Sequence, residues 1–321
     1  MTSERTQEAT EQLLCAVGDP LAVLREIRED DADFVRAQCI RIGAAVLSKL
    51  PSGMPGIRKI LDATPIRRAS PGERLHLDAG AAWLCGDPLA SLGVYAEIVA
   101  LDPGDLLALR LALSCCFFVG DHETSCEIAD AVLRVSRPEQ PGYGHKLALA
   151  SFAHAELGEA AYAERLGRAA LERNPSCPLG VHAVAHALGE SGDSQAGAAW
   201  MREQRAQWSV RSRMRTHNAW HLAMFDVDNG RLDSAINILD HSLLPAADRW
   251  PLDACDAVAL TWRLARAGLD VGPRWKRLSD AFEGFWKPGF WPYVDLHAAV
   301  AHGEADQPER LLALEGGVAA C

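Results

Sequence analysis

Apolar residues in this chain recur at helical spacing in pieces of roughly 12–16 residues, separated by short turns rich in Gly, Asp and Pro. The alternating pattern of strands is nearly absent. The turns are periodic: Gly86, Gly120, Gly158, Gly192, Gly230, Gly268 and Gly303 follow one another at spacings of 34, 38, 34, 38, 38 and 35. In five cases a charged residue follows directly, namely Asp87, Asp121, Glu159, Asp193 and Arg231. A glycine just past a helix end closes it in the left-handed conformation, and an acidic residue suits the start of the next helix. Such a period is that of stacked helix–turn–helix units. The pattern predicts an all-α solenoid of about seven helix pairs, one continuous domain over residues 71–321. Residues 1–70 read as an N-terminal helical segment with helices at 21–27 and 34–50 and a linker at 51–56. The tail beyond Gly303 reads as a capping helix pair, frayed at Gly316 and Gly317.

Residues 145–175 carry the pattern most fully. Small residues Ser151, Ala163 and Ala170 stand where paired helices touch, and Asn174-Pro175 closes the unit. Asp102-Pro103 closes an earlier unit after Tyr95 in the same way. This unit resembles the tetratricopeptide repeat. A helix pair of that kind cannot bury its face alone, so neighbours stack into a superhelix with a concave side.

Composition narrows the function. Of 321 residues 49% are hydrophobic, and 32 Lys+Arg against 43 Asp+Glu give a net charge of −11. That excludes a disordered chain and a membrane protein, and it argues against general nucleic-acid binding, which calls for a basic stripe. The longest apolar run, residues 111–120, is far short of the ~18 needed to span a bilayer. The polar, acidic N-terminus is neither a signal nor a transit peptide, so a cytoplasmic location is expected. Nine cysteines without a CxxC pair point to reduced, mostly buried thiols rather than disulfides or a thiolate zinc site. Cys115 and Cys116, beside Phe117 and Phe118, are expected to fill core, a nucleophilic cysteine being the minor alternative. No P-loop, GxGxxG or GxSxG motif is present.

The 11 His and 9 Trp are prominent beside 4 Tyr and 8 Phe. Counted back from the next turn glycine, His182 and His186 lie at 10 and 6, His217 and His221 at 13 and 9, His145 at 13, His297 at 6 and His76 at 10. At 100° per residue these offsets fall within a wedge of about 100°, which also takes in Trp220 and Trp262. His182/His186 and His217/His221 are i, i+4 pairs on adjacent first helices, whose axes would lie ~8–10 Å apart. Four convergent imidazoles leave three readings open: ligands of a divalent metal, metal-free acid–base or hydrogen-bonding groups, or structural histidines. Ala183 stands where a zincin HExxH motif has its Glu. Glu190, Asp256 and Asp295 are placed to orient imidazoles; Asp253 either joins them or caps a helix; Arg263 is an anion clamp or a structural pair.

Several segments are similar to one family. Val181-His-Ala-Val-Ala-His186, His217-Asn-Ala-Trp-His221, Leu252-Asp-Ala-Cys-Asp256 with Trp262-Arg263-Leu264, Gly272-Pro-Arg-Trp275, Asp102-Pro-Gly-Asp-Leu-Leu-Ala-Leu109 and Asp295-Leu-His297 occur in matching order and spacing. Together they resemble the tetratricopeptide repeat protein thirty-eight family of bacteria and animals, from about Ala32 to the C-terminus. The resemblance implies an α-solenoid with a shared polar pocket and no particular reaction. This chain departs from it at Leu113-Ser114, where a His-Asp pair is usual, at Gly189, where an acidic residue is usual, and in a shortened N-terminal region, as a specialised bacterial member would.

The leading expectation is therefore a small-molecule enzyme performing hydrolysis, elimination, isomerisation or cyclisation in a histidine-rich concave pocket. His182, His186, His217, His221 and Asp256 would be its catalytic groups, the four histidines also its ligands for any divalent metal. Trp220, Trp262, Arg263, His145, Asn218, Asp295 and His297 would bind a small organic substrate. A homodimer is compatible with this reading. The alternative is a non-catalytic adaptor that binds a peptide or protein, the common role of tetratricopeptide arrays.

Overall fold

Left-handed backbone at a periodic glycine follows six of the described helices. In the computed structural model, which describes residues 4–210, 212–284 and 286–319, Gly86, Gly120, Gly158, Gly192, Gly230 and Gly268 hold φ between 72° and 91°. A side chain there would be strained. After five of these glycines the next residue caps the following helix; after Gly268 that helix begins at Gly272. Asp87, Asp121 and Asp193 each accept the backbone N–H three residues on, at 2.8–3.0 Å, a cap worth about 1 kcal/mol. Glu159 and Arg231 hold the same position without a side-chain cap bond. The seventh turn differs from expectation. Gly303 lies inside a helix that runs to Glu304, and the left-handed residue is Asp306 (φ 52°). Pro308 opens the next helix, so the reversal falls just ahead of it.

The chain divides into two compact units. The first, Met1–Gly192 with Val210–Arg213, contains α1 (Glu4–Leu14), α2 (Pro20–Val23), α3 (Phe34–Ser48), α4 (Met54–Ala63), α5 (Pro71–Leu84), α6 (Pro88–Leu101), α7 (Leu106–Val119), α8 (His122–Val135), α9 (Tyr143–Glu156), α10 (Ala160–Arg173) and α11 (Pro178–Glu190). The second, Asp193–Ser209 with Met214–Cys321, contains α12 (Ser194–Glu203), α13 (Arg205–Ser209), α14 (Arg215–Asp228), α15 (Leu232–Ile238), α16 (Pro251–Arg266), α17 (Gly272–Ala281), α18 (Pro292–Glu304) and α19 (Pro308–Ala319). No strand occurs among the described residues; an isolated bridge joins Val17 to Ser212 within the first unit.

In the first unit the two helices of a repeat are buried differently. α7 buries nine residues in the span from Leu107 to Cys116, and α9 buries nearly every residue from His145 to Ala155. The second helices bury one stripe: Ser125, Cys126, Ala129 and Val132 on α8, and Ala163, Gly167 and Ala170 on α10. Small residues allow close approach, and Ser151 Oγ on α9 donates to the Ala163 carbonyl on α10 at 2.7 Å.

A helix buried on most faces must pair its polar groups internally. On α7 this falls to Asp105, which caps the helix through Ala108 N (3.0 Å) and takes Arg36 Nη1 of α3 and His76 Nε2 of α5, each at 3.0 Å. Burial alone would raise its carboxyl pKa, but His76 and Arg36 outweigh burial and hold it far below the usual range. In the second unit Asp226 of α14, wholly buried, accepts from Arg202 of α12 (2.6 and 2.8 Å), Arg231 Nε (2.7 Å) and Ser234 Oγ of α15 (2.7 Å).

The ends of the chain depart most from the sequence reading. The polar N-terminus folds as α1, burying Thr6, Ala9, Leu13 and Leu14. The helix expected at 21–27 is a short α-turn, Pro20–Val23, continued by a 3-10 turn, Leu24–Glu26. The expected linker at 51–56 is a 3-10 turn running into α4, with Pro55 in that helix's first turn, where its missing N–H is harmless. α19 continues through Gly316 and Gly317 without fraying; a Cβ on Gly317 would lie 2.5 Å from Pro288 Cβ, so close packing calls for the glycine.

The eight described cysteines are all free thiols, with Cys85 alone of them exposed; Cys321 lies outside the described residues. Cys115 and Cys116 are fully buried in the core. No helix among the described residues is long and apolar enough to cross a membrane.

The pairing at Asp105 sets a test. Asp105→Ala strands Arg36 and His76 and should cost ~3–5 kcal/mol in urea unfolding at pH 7, against ~1 kcal/mol for loss of a cap alone in Asp121→Ala. Equal losses would contradict the role given to Asp105. Because its folded pKa is depressed, its stabilisation is present above ~pH 4 and declines as the medium is made more acid.

Candidate functional site

Both histidine pairs form as their i, i+4 spacing requires, each on one helix. On α11, His182 Nε2 and His186 Nε2 are 3.0 Å apart. On α14, His217 Nε2 and His221 Nε2 are 3.2 Å apart. In each pair a carboxylate takes the remaining nitrogen of one ring. Glu156, at the end of α9, accepts from His186 Nδ1 at 2.7 Å. Asp256 of α16 accepts from His217 Nδ1 at 2.8 Å. The carboxylate fixes the tautomer: with Nδ1 donating to it, Nε2 of the same neutral ring accepts the Nε2–H of its neighbour. The result is a carboxylate–histidine–histidine chain in each unit. Each is flanked by an aromatic ring: Phe152 stacks on His182 (centroids 5.4 Å apart), and Trp220 on His217 (5.3 Å).

His186 and His217 therefore have both ring nitrogens engaged, and His182 and His221 are buried. Asp256 takes the orienting role expected of it. Glu190 does not; it is exposed, and Glu156 stands in its place. Sequence reasoning missed Glu156 because it lies 30 residues from His186 and meets it only through the packing of α9 on α11.

The remaining candidates are dispersed. Asp295 accepts from Trp286 Nε1 (2.7 Å) and Gly289 N (3.1 Å), so it fixes the loop before α18 rather than an imidazole. His297 Nδ1 donates to the Tyr293 carbonyl at 2.7 Å, and burial holds its pKa below the usual value. Trp262 is 45% exposed, with the Arg266 guanidinium 5.8 Å from its ring centre; Arg263 is exposed beside it. His145 is buried in the first unit with Nε2 2.8 Å from Glu11. Asn218 is wholly buried, and neither of its side-chain amide atoms has a hydrogen-bond partner among the described residues; the same holds for Trp220 Nε1.

Asp253 does not cap α16; the capping residue is Trp250. Burial, and then the Asp256 charge, push its carboxyl up to about 7.

A second feature of the second unit is a cavity of about 790 Å³ that the histidine-centred reading did not anticipate. Trp208, Ala219, Leu222 and Pro245 are among its apolar lining, and Arg202, Arg205, Arg215 and Arg249 stand around it with His241. Arg202 is tied to Asp226. Arg205, Arg215 and Arg249 are exposed and form no ion pair among the described residues. The four arginines are scattered through the sequence, and the packing of α12–α15 and the turn before α16 collects them.

No protein-family model matches the chain. Solved structures similar to it include the APC/C hetero-tetramer Cut9–Hcn1 (13% identity, TM-score 0.52, covering 97% of this chain). This chain spans 59% of the length of the chain it matches there. A Rap protein complexed with Competence and Sporulation Factor matches at 11% identity and a TM-score of 0.55, over 98% of both chains. The human IFIT1 dimer with m7Gppp-AAAA matches at 14% identity and a TM-score of 0.51, over 98% of this chain and 77% of that one. At these identities the likeness shows the fold, which is all-α and tetratricopeptide-like.

These findings correct the expectation of a small-molecule enzyme with a small organic substrate. The similar structures are complexes: Cut9 with Hcn1, a Rap protein with Competence and Sporulation Factor, and IFIT1 with m7Gppp-AAAA. In this chain the expected catalytic rings His186 and His217 already spend both nitrogens on internal partners.

Asp253 offers a check on the site's electrostatics. Because its folded pKa is raised, the folded state binds more protons than the unfolded one between about pH 4 and 7, and stability falls as pH rises through that window. Asp253→Asn should flatten this dependence and raise unfolding stability at pH 8 by ~1–4 kcal/mol, the upper figure being the full shift converted at ~1.4 kcal/mol per unit. An unchanged pH profile in denaturant titrations would show that Asp253 is ordinary.

Proposed function

We propose that this protein is a non-catalytic tetratricopeptide adaptor that binds an acidic peptide segment of a protein partner in the arginine-lined cavity of its second unit. The observation that carries the reading is Arg205, Arg215 and Arg249, exposed around one cavity and in no close ion pair among the described residues, with Asp253 the carboxylate that feels the Arg249 and Arg215 charges, in a chain whose net charge is −11. Guanidinium forks suit carboxylates, which they bind in bidentate fashion. The apolar lining at Trp208, Leu222 and Pro245 suits the side chains between two acidic residues. The complexes cited above support the same class of role, since Cut9 is held with Hcn1 and Rap with its factor. Trp262 and Arg263, both exposed on α16, are further contact points in this reading.

The sequence motifs described above support a finer assignment within the same reading, to a divergent bacterial member of the tetratricopeptide repeat protein thirty-eight family. They also support a repeat array that begins at residue 71. There Ser70 and Glu73 form a reciprocal capping box that gives α5 a well-defined start.

Fluorescence anisotropy with a labelled Glu-rich peptide tests the proposal. Wild-type protein should bind, with affinity falling as salt is raised. Arg215→Ala combined with Arg249→Ala should weaken binding ~10-fold or more, while Arg168→Ala, on α10 of the first unit and paired with Glu164, should leave it unchanged. Equal binding by the double variant, or tighter binding to an oligonucleotide of similar charge, would overturn it.

A further inference from the structure

Three polar groups that neither the histidine chains nor the arginine cavity uses meet in the first unit. Cys15 directly follows α1, His145 is in the first turn of α9, and Cys177 caps the start of α11. All three are buried, with 5%, 6% and 3% of their surface exposed. One donor atom from each, two sulfurs and one ring nitrogen, lies within 4.8 Å of the other two. Glu11, one turn before Cys15 on α1, adds a carboxylate: Oε2 lies 2.8 Å from His145 Nε2, and Oε1 accepts from Cys15 Sγ at 3.5 Å. Asn174 Nδ2 donates to Glu11 Oε1 at 3.4 Å and to Cys15 Sγ at 3.5 Å. A cavity of about 280 Å³, lined in part by Glu11, Tyr143, His145 and Asn174, opens beside the group.

We propose that Cys15, Cys177 and His145, with Glu11 as fourth ligand, form a binding site for one zinc ion. Tetrahedral zinc takes thiolate at ~2.3 Å, imidazole at ~2.0–2.1 Å and carboxylate at ~2.0–2.2 Å. The Cys15, His145 and Cys177 ligand atoms, already within 4.8 Å of one another, need only small movements to reach those distances, and Glu11, which now bonds His145 and Cys15, would turn a carboxylate oxygen from them to the ion. Two sulfurs, a nitrogen and one carboxylate favour zinc over magnesium or calcium, which take oxygen sets. A disulfide between the two cysteines would need neither the imidazole nor the carboxylate, and both thiols are free. Binding releases the thiol protons; the two buried thiolates offset the ion's charge, and the remaining negative charge falls to the half-exposed Glu11 carboxylate. The cavity beside Glu11 and His145 provides the path of entry.

The site has a structural consequence. Its ligands come from α1, from α9 and from the start of α11, so one ion ties the N-terminal helix to two repeats more than 100 residues away in sequence. Closing loops of that length removes disorder from the unfolded chain, and zinc should raise the thermal midpoint. The sequence pattern hid the site because its cysteines lie 162 positions apart and lack CxxC spacing.

The test uses the full chain, purified under reductant and stripped with a chelator. Titration with cobalt(II) should give thiolate-to-cobalt charge transfer and the absorption of tetrahedral cobalt, saturating at one ion per chain and reversed by one equivalent of zinc. Glu11→Gln should weaken affinity, Cys177→Ser should lower the charge-transfer band to that of one thiolate or less, and Cys15→Ser/Cys177→Ser should abolish it, while Cys85→Ser, at the exposed thiol, retains the full band. Should Cys177→Ser fail to fold, the wild-type titration and the zinc-dependent rise in thermal midpoint decide alone. No charge transfer in reduced wild-type protein, or the same band in Cys15→Ser/Cys177→Ser, would overturn the proposal.

Discussion

Burying a polar atom on an enclosed helix is costly unless it finds a partner inside the protein, and much of the polar chemistry here follows from that constraint, with Asn218 and Trp220 Nε1 as exceptions on α14. α7, α9, α11, α14 and α16 bury most of their length. An unpaired buried polar group costs about 1–3 kcal/mol, more if charged, so their ionisable residues occur in sets. Asp105 joins Arg36 and His76; Asp226 joins Arg202, Arg231 and Ser234; Glu156 and Asp256 each hold a histidine. Cys15, His145 and Cys177 are a further set, of metal-binding composition.

The same constraint gives the histidines at repeat-indexed positions a structural reading beside the catalytic one. An i, i+4 pair beside a carboxylate is how an enzyme would fix a general base, and it is equally how a buried helix satisfies two imidazoles using only one external partner. The difference lies in what is left over. In each chain here the ring bonded to the carboxylate has no nitrogen remaining, whereas Arg205, Arg215 and Arg249 of the cavity present exposed guanidiniums. An exposed guanidinium is open to another molecule, whereas the open polar atoms beside the histidines, on Asn218 and Trp220, are buried.

The fold was legible wherever one residue decides local geometry. Turn glycines located six of seven reversals, three of them followed by a capping Asp, because left-handed φ and capping are local properties. Gly303 misled because Pro308 placed the turn three residues later, at Asp306. α1 was missed since a short polar helix is held by packing at Ala9, Leu13 and Leu14 rather than by its own pattern. The site was less legible. Asp256 was found by its position at the start of a first helix, but Glu156, the arginine set and the Cys15–His145–Cys177 group join residues whose proximity exists only after helices pack.

In the proposed adaptor, recognition belongs to the arginines and the histidines are internal structure. Side-chain nitrogen NMR of protein labelled with ¹⁵N at arginine and histidine tests it in one titration with an acidic peptide. The Nε signals of Arg205, Arg215 and Arg249 should move progressively to saturation while the imidazole nitrogens of His186 and His217 keep their shifts and tautomers. Movement of the imidazole signals with the arginines unchanged would contradict the account and return the histidine pairs to the centre of the function.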